Sequence, residues 1–306
     1  WQTFEYFSGY GFNKSHAVSY SILSYQCAYL FNYYPSEWMA AFLDKEPESR
    51  KERAISTAKS MGFQIEPLNV NTSGTVWEIS KDGKTLIQPL TSIKGLGEAA
   101  IEQILDNRPF ECVEDFLFNE DITYSKLNKK ALDVLVRSGA ADDLADDRFT
   151  GLKHFWSATV VDRPKNQKKL IENIELYEPE GDFSIDEVVA HKSDLTGVFP
   201  MHLVVAEEVQ DGLKTKGVPP ISEYDRDLEL VWFVPREVIV KKTKNGKKYW
   251  ILKVIDSNST LTSVKCWGVR DTDRIKLNKP YMAKLDYDEQ WGFSTRSIYY
   301  NLKLIG

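Results

Sequence analysis

The sequence is poor in cysteine, and its three cysteines, Cys27, Cys112 and Cys266, stand far apart along 306 residues. They form no Cys-x-x-Cys pair of the kind found in zinc sites, and their spacing suggests no disulfide framework. The sequence also lacks an apolar run of membrane-spanning length and a signal peptide. These absences argue against a disulfide-stapled secreted protein and a membrane protein. They predict a cytoplasmic protein that has no membrane partner.

An excess of positive charge is also absent, since the net charge is −6. Any contact with nucleic acid must therefore be a local patch. No group of acids shows the strand pattern that would gather two Mg²⁺ ions, and His154, His191 and His202 are isolated. We therefore predict no catalytic residue, no metal ligand and no bound cofactor in this chain. The composition, 42% hydrophobic and 12% aromatic, is sufficient for two or three domains with sizeable cores.

The most informative stretch begins at Tyr10 and reads YGFNKSHAVSY. Ser15 stands where a helical pattern begins, so we predict that it is the N-cap of a long helix that ends before Pro35. Because apolar residues fall on nearly every side, most of this helix is predicted to be buried. Its first turn carries basic residues and no acid, the reverse of the usual preference, which indicates a phosphate site. The alternative is a helix start that merely contains basic residues.

Together with SYQCAYL from Ser24 and YPSEWMAA from Tyr34, this stretch resembles the fingers region of the C-family replicative DNA polymerases, the bacterial DNA polymerase III alpha subunits. Trp38 stands where the family usually has Phe. In that family the helix borders the pocket for the incoming nucleotide. The resemblance therefore implies a nucleotide-binding set in which the first members meet the triphosphate and the last lie near the sugar or base. The set is Asn13, Lys14, Ser15, His16 and Tyr20.

A second stretch, IKGLGEAAIEQIL from Ile93, matches a helix-hairpin-helix. Two glycines make a tight hairpin whose open N–H groups can hold a DNA phosphate regardless of base sequence. The alternative is a structural helix turn. Residues 126–140 resemble a further segment of the same family, and their lysines either reach phosphates or form a solvated face. The predicted DNA contacts in these two stretches are Lys94, Gly95, Gly97, Lys129 and Lys130.

Residues 148–177 read as helix with a break at Arg163 and Pro164. In the polymerase family an internal sliding-clamp motif lies in this region, and the best candidate here is QKKLI. The clamp-binding candidates are Gln167, Leu170 and Ile171. The terminal aromatic residue of the motif is missing, so an ordinary amphipathic helix is the favoured interpretation.

Several local signals predict where elements begin, end or turn. Gly62 is placed to end a helix in the left-handed conformation. Ser184, followed three residues later by Glu187, predicts a capping box. Asp82 and Gly83 lie between two strand-like runs and predict a hairpin with a type I′ turn.

Short strands dominate from Leu228 onward, which predicts an OB-fold barrel, and the family carries such a module at this place in the order. Separate strands are predicted at 230–234, 236–240 and 297–299, among others. Lysines cluster around the first turn beside aromatic residues, which is typical of a platform for single strands. The alternative is that the tryptophans fill the barrel and the lysines protect an edge strand. The predicted contacts are Lys241, Lys242, Lys244, Lys247 and Trp250, with Tyr249 or Trp267 as further aromatic candidates.

The predicted fold class is α+β, with a mostly helical N-terminal two-thirds that contains a helix-hairpin-helix, followed by an all-β OB-fold barrel. Residues 1–88 would be the end of the fingers with a small hairpin, and 89–182 the helix-hairpin-helix domain for duplex and clamp binding. Residues 183–227 would be a helical connector and linker, and 228–306 the OB-fold domain. Because the pattern starts in mid-fold, we expect a fragment or one half of a split polymerase.

The resemblance implies the C-terminal, DNA-handling part of a replicative DNA polymerase, an enzyme of DNA-directed DNA synthesis. The catalytic palm precedes the fingers in this family, and nothing here resembles it. The chain alone is therefore predicted to be inactive, with Mg²⁺ expected at the missing palm. The expected partners are primer–template DNA, single-stranded template, dNTP, a palm-bearing polymerase chain or segment and a sliding clamp. The alternative is a non-catalytic DNA-binding or scaffold protein built from the same modules.

Overall fold

The computed structural model describes residues 14–47, 50–228, 230–270 and 272–305. Helices dominate the N-terminal two-thirds, and a curled sheet of seven strands occupies the C-terminal part. The predicted order, a helical region followed by a β-barrel, is therefore confirmed. Within the described ranges no helix is both long and apolar enough to cross a bilayer.

In the N-terminal part, residues 14–47 and 50–87 form three helices and a three-stranded sheet. They are α1 (Lys14–Tyr33), α2 (Pro35–Lys45), α3 (Lys51–Ser60), β1 (Gln64–Glu66), β2 (Glu78–Ile79) and β3 (Thr85–Ile87). Strand β3 is central, parallel to β1 and antiparallel to β2. Pro35 ends α1 and starts α2, since proline restricts the residue before it and suits the first helical position. Gly62, with φ of +90°, follows α3 as predicted.

Helix α1 is exposed along most of its length, and only Ala17 and Phe31 are half-buried, so the prediction that it is buried is wrong. None of its 20 residues is buried, and Ile22, Leu23 and Tyr25 are 52%, 55% and 70% exposed. An apolar helix is buried only if other elements cover it, and the described residues supply no such cover. The helix already includes Lys14, so Ser15 lies inside it and is not the N-cap, contrary to the prediction.

The predicted hairpin between β2 and β3 is present, but its turn is not of type I′. That turn needs positive φ at both central residues. Gly83 has φ of +70°, whereas Asp82 is not among the residues with positive φ. The Asp82 carboxylate instead accepts the backbone N–H groups of Lys84 and Thr85, each at 2.9 Å. A longer loop organised by a side chain therefore replaces the two-residue turn.

The largest core belongs to the helices that follow. They are α4 (Glu98–Asn107), α5 (Val113–Phe118), α6 (Lys129–Ser138), α7 (Leu152–Trp156), which continues as a π-helical segment (Ser157–Val161), and α8 (Gln167–Leu176). Their buried side chains, among them Ile104, Phe116 and Leu135, form one cluster. The break between α7 and α8 contains Arg163 and Pro164, as predicted.

A helical connector leads from this core to the barrel. It comprises α9 (Ile185–Thr196), α10 (Met201–Val204) and α11 (Glu207–Thr215). The predicted capping box at the start of α9 is confirmed, since the Ser184 and Glu187 side chains each hold the other's backbone N–H. Val189 and Phe199 of the connector pack in one cluster with Trp232 and Ile255 of the barrel. The predicted domain boundaries stay predictions.

The barrel sheet has the strand order β10-β7-β4-β5-β6-β9-β8. The strands are β4 (Val231–Lys242), β5 (Lys248–Ile255), β6 (Leu261–Cys266), β7 (Tyr281–Ala283), β8 (Asp286–Asp288), β9 (Gly292–Thr295) and β10 (Leu302–Leu304), with α12 (Ile298–Asn301) before β10. Neighbours are antiparallel except β6 and β9, which are parallel. Two of the predicted strands form the single strand β4, bulged between Pro235 and Glu237. The strand predicted at 297–299 is wrong, because this segment enters α12.

Candidate nucleic-acid interface

The hairpin before α4 lies against the start of α6. Gly95 has φ of +87°, and a Cβ at this position would lie 3.7 Å from Lys130 Cε and 3.8 Å from Val134 Cγ1. Positive φ favours glycine, which has no Cβ to strain the backbone. Leu96 packs against the core beneath the hairpin. The fold therefore brings the Gly-x-Gly hairpin and the lysine-rich start of α6 to the same place.

The two helix starts at this place offer different groups. Gly97 is the N-cap of α4 and no side chain caps that end, so the first N–H groups of the helix have no side-chain acceptor. Glu98, in the same turn, adds a negative charge that opposes an anion there. At α6, by contrast, Asn128 Oδ1 accepts from the N–H groups of Lys130 and Ala131, at 3.0 and 3.1 Å. Helix α4 thus supplies backbone donors, and α6 supplies lysine side chains.

The lysines of this patch differ in how firmly they are held. Lys94, Lys126 and Lys130 are exposed. Lys129 is exposed too, but its Nζ donates to the carbonyl of Val161 at 2.8 Å and so ties α6 to the π-helical segment. We define the helix-hairpin-helix patch as Lys94, Gly95, Gly97, Lys126, Lys129 and Lys130.

Arg163 supports the loop that leads into this patch. It is 6% exposed, its guanidinium lies 3.8 Å from the ring centroid of Tyr124, and its Nη1 donates to the Tyr124 carbonyl. Burial lowers the pKa of Arg163. Its Nε and Nη2 are buried without a partner among the described residues. The sequence pattern gave no role to this residue beyond breaking a helix, because its contacts are distant in sequence.

One face of the barrel carries aromatic and basic side chains together. Tyr249 and Trp267 are stacked, with ring centroids 4.6 Å apart and planes at 25°. Lys241 pairs with Tyr249 across the β4–β5 ladder, so both lie on this face. Lys265 donates to the Trp291 carbonyl at 2.9 Å, and its Nζ lies 4.9 Å from that ring. We call these five residues the barrel platform.

Trp250 lies on the other side of the sheet. It pairs with Val240 and Cys266 and is half-buried against the barrel core. Because successive residues of a strand point to opposite faces, Tyr249 and Trp250 cannot both join one platform. The structure therefore places Trp250 in the packing of the barrel, as the alternative interpretation had it, and Tyr249 on the outward face.

The predicted lysines of the β4–β5 hairpin are all exposed, but only some belong to the platform face. Lys242 pairs with Lys248, and this pair is adjacent to Lys241 and Tyr249, so it lies on the opposite face of the sheet from the platform. Lys244 and Lys247 lie in the connecting loop. Lys265 and Trp291 were not found from the sequence. The alternation of side chains along β6 could have placed Lys265 on the same face as Trp267. Trp291, by contrast, lies near Lys265 only because β6 pairs in parallel with β9.

The predicted nucleotide-binding residues that the structure describes lie on the exposed start of α1. Lys14, Ser15, His16 and Tyr20 are exposed, and the rings of the last two are 4.4 Å apart. The Ser15 carbonyl accepts a hydrogen bond from the Ser19 hydroxyl at 2.8 Å. Asn13 lies outside the described residues. These side chains form one helical surface, so another body would be needed to complete a pocket around a nucleotide.

The clamp-binding candidates do not present a common surface. Leu170 is fully buried in the helical core, whereas Gln167 and Ile171 are exposed. A side chain that fills its own core cannot also fill a pocket on another protein. The segment therefore reads as an amphipathic helix, the interpretation that the sequence favoured. Across the described ranges, no three His, Cys, Asp or Glu residues are grouped so that they could hold a metal ion.

The comparison with protein families agrees with this geometry. The family model described as "Helix-hairpin-helix motif" matches residues 62–151, which include the hairpin and α4 to α6. The chain thus contains a helix-hairpin-helix region, followed by a C-terminal β-barrel.

Among characterised proteins, the similar ones are DNA polymerase III alpha subunits. The subunit of Aquifex aeolicus is 30% identical over 98% of this chain and 26% of its own length. That of Helicobacter pylori is 25% identical over 95% of this chain and 27% of its length. That of Thermus aquaticus is 40% identical over 46% of this chain and 12% of its length. The chain is therefore a relative of the DNA polymerase III alpha subunits, and it spans about a quarter of their length or less. The matches are consistent with a C-terminal part of such a subunit.

Proposed function

We propose that this chain is the DNA-handling part of a replicative DNA polymerase. In this proposal the helix-hairpin-helix patch holds duplex product, the barrel platform holds single-stranded template, and the start of α1 helps to place the incoming dNTP. A palm-bearing segment outside the described residues supplies the metal-binding acids. Mg²⁺ held there would neutralise the charge that develops in phosphoryl transfer, while the residues of this chain bind and orient DNA and nucleotide.

The observation that carries the proposal is the proximity of Gly95 to Lys130, whose Cε would lie 3.7 Å from a Cβ built at Gly95. It joins uncapped backbone donors of one helix start to lysine side chains of another. Backbone N–H groups and lysines at one place suit a phosphate, which accepts from both. Such contacts position a duplex without reading its sequence, as an enzyme that copies any template requires.

The test of the duplex site is fluorescence anisotropy with a double-stranded oligonucleotide over a series of salt concentrations. The double variant Lys126→Gln/Lys130→Gln removes two exposed cations of the patch. We expect weaker binding and a salt slope reduced by about 2, because each lost phosphate contact removes close to one released counterion. The matched control, Lys214→Gln/Lys216→Gln, changes the net charge equally in the connector. Equal affinity and slope for the two double variants would contradict the duplex site.

The topology of the barrel supports an OB-fold and a role in single-strand binding. Strand β4 pairs with both β5 and β7, and β6 runs parallel to β9, so the sheet curls with a Greek-key order. The Tyr249–Trp267 stack then lies on the outer face of the second and third barrel strands. Stacked aromatics beside lysines suit a single strand, whose bases stack and whose phosphates meet the cations.

Single-strand binding is tested with Tyr249→Ala and Trp267→Ala. Each is expected to weaken anisotropy-measured binding of a single-stranded oligonucleotide by about 1–3 kcal/mol, the range for a lost base stack. Binding to the duplex should not change. Tyr177→Ala, outside the barrel, is the control. A loss of duplex and single-strand affinity together would mean that the barrel is damaged or that the two sites are one.

The exposure of α1 supports a palm-bearing partner over a freestanding scaffold. An exposed surface this apolar usually marks a protein interface. Replacing Ile22 and Leu23 with Gln should leave the unfolding of this chain unchanged and abolish co-purification with a polymerase segment that carries the palm. Ser24→Gln on the same helix is the control. If the parent chain never associates with that segment, the scaffold alternative is favoured.

A further inference from the structure

A cavity of about 480 Å³ lies between α3, the end of α6, the segment from α9 to α10 and the loop after β5. It shares no residue with the helix-hairpin-helix patch or the barrel platform. Its volume is in the range of about 300–1,000 Å³ that is usual for small-molecule sites. Three basic side chains from three helices line it: Lys59 of α3, Lys192 of α9 and His202 of α10.

Lys59 is the most unusual of the three. It is half-buried in the last turn of α3, and burial lowers its pKa. Among the described residues no carboxylate forms an ion pair with it, and its Nζ makes no hydrogen bond. Glu66, the single carboxylate among the lining residues that the structure describes, is not among the groups that act on the pKa of Lys59. Lys59 is therefore a partly desolvated cation at the cavity wall, available to pair with an anion that enters.

The other two groups differ in charge: Lys192 adds to the positive potential of the cavity, whereas His202 offers a ring N–H as a hydrogen-bond donor. Lys192 Nζ lies 3.3 Å from the carboxylate of Asp142, which partly offsets its charge. His202 lies at the exposed rim. Partial burial, then Lys192 and Lys59, lower the pKa of His202, so each lysine lies near enough to disfavour the charged form of that imidazole.

The rest of the cavity wall contains both apolar and polar residues. Apolar side chains, among them Ile65, Phe199 and Met201, line one part, and Ser138 and the loop at 257–259 line another. Phe199 is held in place by the guanidinium of Arg236, 4.2 Å from its ring centroid. A ligand with an anionic head and an apolar body would meet complementary surfaces at both ends.

We propose that this cavity binds a small phosphate monoester, with its phosphate at Lys59, Lys192 and His202 and its apolar body against Phe199 and Met201. A phosphate presents several acceptor oxygens and up to two negative charges, which suits a cavity lined by two lysines and a histidine better than a monovalent carboxylate does. The ligand class follows from these side chains alone and is independent of the polymerase function proposed above.

The test is isothermal titration calorimetry of the 306-residue chain with phenyl phosphate and with inorganic phosphate. Phenyl phosphate should bind at least tenfold more tightly, because its ring reaches the apolar wall. Lys59→Met should weaken its binding at least tenfold, and His202→Gln severalfold. Lys216→Met, an exposed lysine of the connector, is the matched control and should leave binding unchanged.

Two further measurements separate this role from a structural one and from DNA binding. The thermal midpoint of Lys59→Met without ligand should not fall, because the substitution removes a poorly solvated charge. Its affinity for a single-stranded oligonucleotide should equal that of the parent. The proposal is overturned if phenyl phosphate does not bind, or binds no better than inorganic phosphate. It is also overturned if Lys59→Met leaves that binding intact, lowers the midpoint, or weakens oligonucleotide binding instead.

Discussion

Helices α1 and α6 show how differently one chain can use apolar residues. Helix α1 has 20 residues and buries none of them, whereas α6 has 10 and buries six. In α6 the apolar residues form one face, with Leu135 fully buried, and the charged residues form the other. In α1 they surround the helix, so no single face can dock on the rest of the chain. Apolar content alone therefore does not decide whether a helix is buried; the arrangement of the apolar residues around the helix matters as well.

The two helices also differ in how their ends are capped. Helix α6 has an Asn128 cap at its start and Gly139 in the left-handed conformation, φ of +89°, at its end. Helix α1 ends only because Pro35 cannot extend it. Local signals and tertiary packing therefore agree for α6, while α1 depends on a surface that the described residues do not supply.

The largest difference in stability between the two helices is expected when a leucine side chain is removed from each. We expect Leu135→Ala to lower the free energy of unfolding by about 2–5 kcal/mol, because it leaves a cavity in the largest core. Leu23→Ala, which is 55% exposed in the parent, should cost about 0.5 kcal/mol or less. Urea unfolding followed by circular dichroism measures both. A large cost for Leu23→Ala would show that α1 is covered in solution.

A smaller effect is expected from the helix caps. Asn128→Ala removes an acceptor for two N–H groups at the start of α6 and should cost about 0.5–2 kcal/mol. Ser15→Ala changes a residue inside α1 and should cost less, since alanine is the better helix former. The same urea experiment compares the two. A larger cost for Ser15→Ala would mean that its hydroxyl has a capping role after all.

The smallest effect expected is on the pH dependence of stability. Burial, then Arg137, lowers the pKa of His191, which lies on α9 next to α6, and Glu187, Asp133 and Asp194 oppose this shift. Below about pH 6.5 the unfolded state therefore binds the proton first, so the free energy of unfolding decreases as the pH falls toward the lowered pKa.

The measurement is urea unfolding at several pH values between 5 and 8, the window in which histidines titrate. His191→Gln should flatten the decrease below pH 6.5 and leave the slope above pH 7 unchanged. His202, whose pKa is lowered as well, contributes in the same direction, so the decrease should not vanish. An unchanged profile in His191→Gln would contradict the assignment.

Much of the fold followed from short-range signals. The capping box at Ser184, the left-handed Gly62 and the break at Arg163 each depend on a few neighbouring residues, and the structure confirms each. Gly95 of the helix-hairpin-helix was also evident, because its positive φ selects glycine strongly. The conformation of the Asp82 loop could not be predicted from the Asp-Gly pair. The Asp82 carboxylate accepts two backbone N–H groups, and this makes a turn that rules for residue pairs do not describe.

The errors lie where distant parts of the chain meet. Pro235 looked like a boundary between two strands, but a bulge lets β4 continue through it. The segment at 297–299 has the composition of a strand, yet it enters α12 and buries Ile298 in the barrel core. Trp250 and Tyr249 looked equally available for DNA until the pairing register assigned them to opposite faces.

Local patterns in the sequence predicted the order of the parts and several helix ends, because these depend on periodicity, caps and glycines within a few residues, whereas the class of the protein followed from the resemblance of its motifs to a known family. Tertiary packing, by contrast, places Gly95 near Lys130, stacks Tyr249 on Trp267, and brings Lys59, Lys192 and His202 to one cavity. Each of these sites joins residues from separate elements, and their distances are set by packing and strand register, which no local pattern specifies.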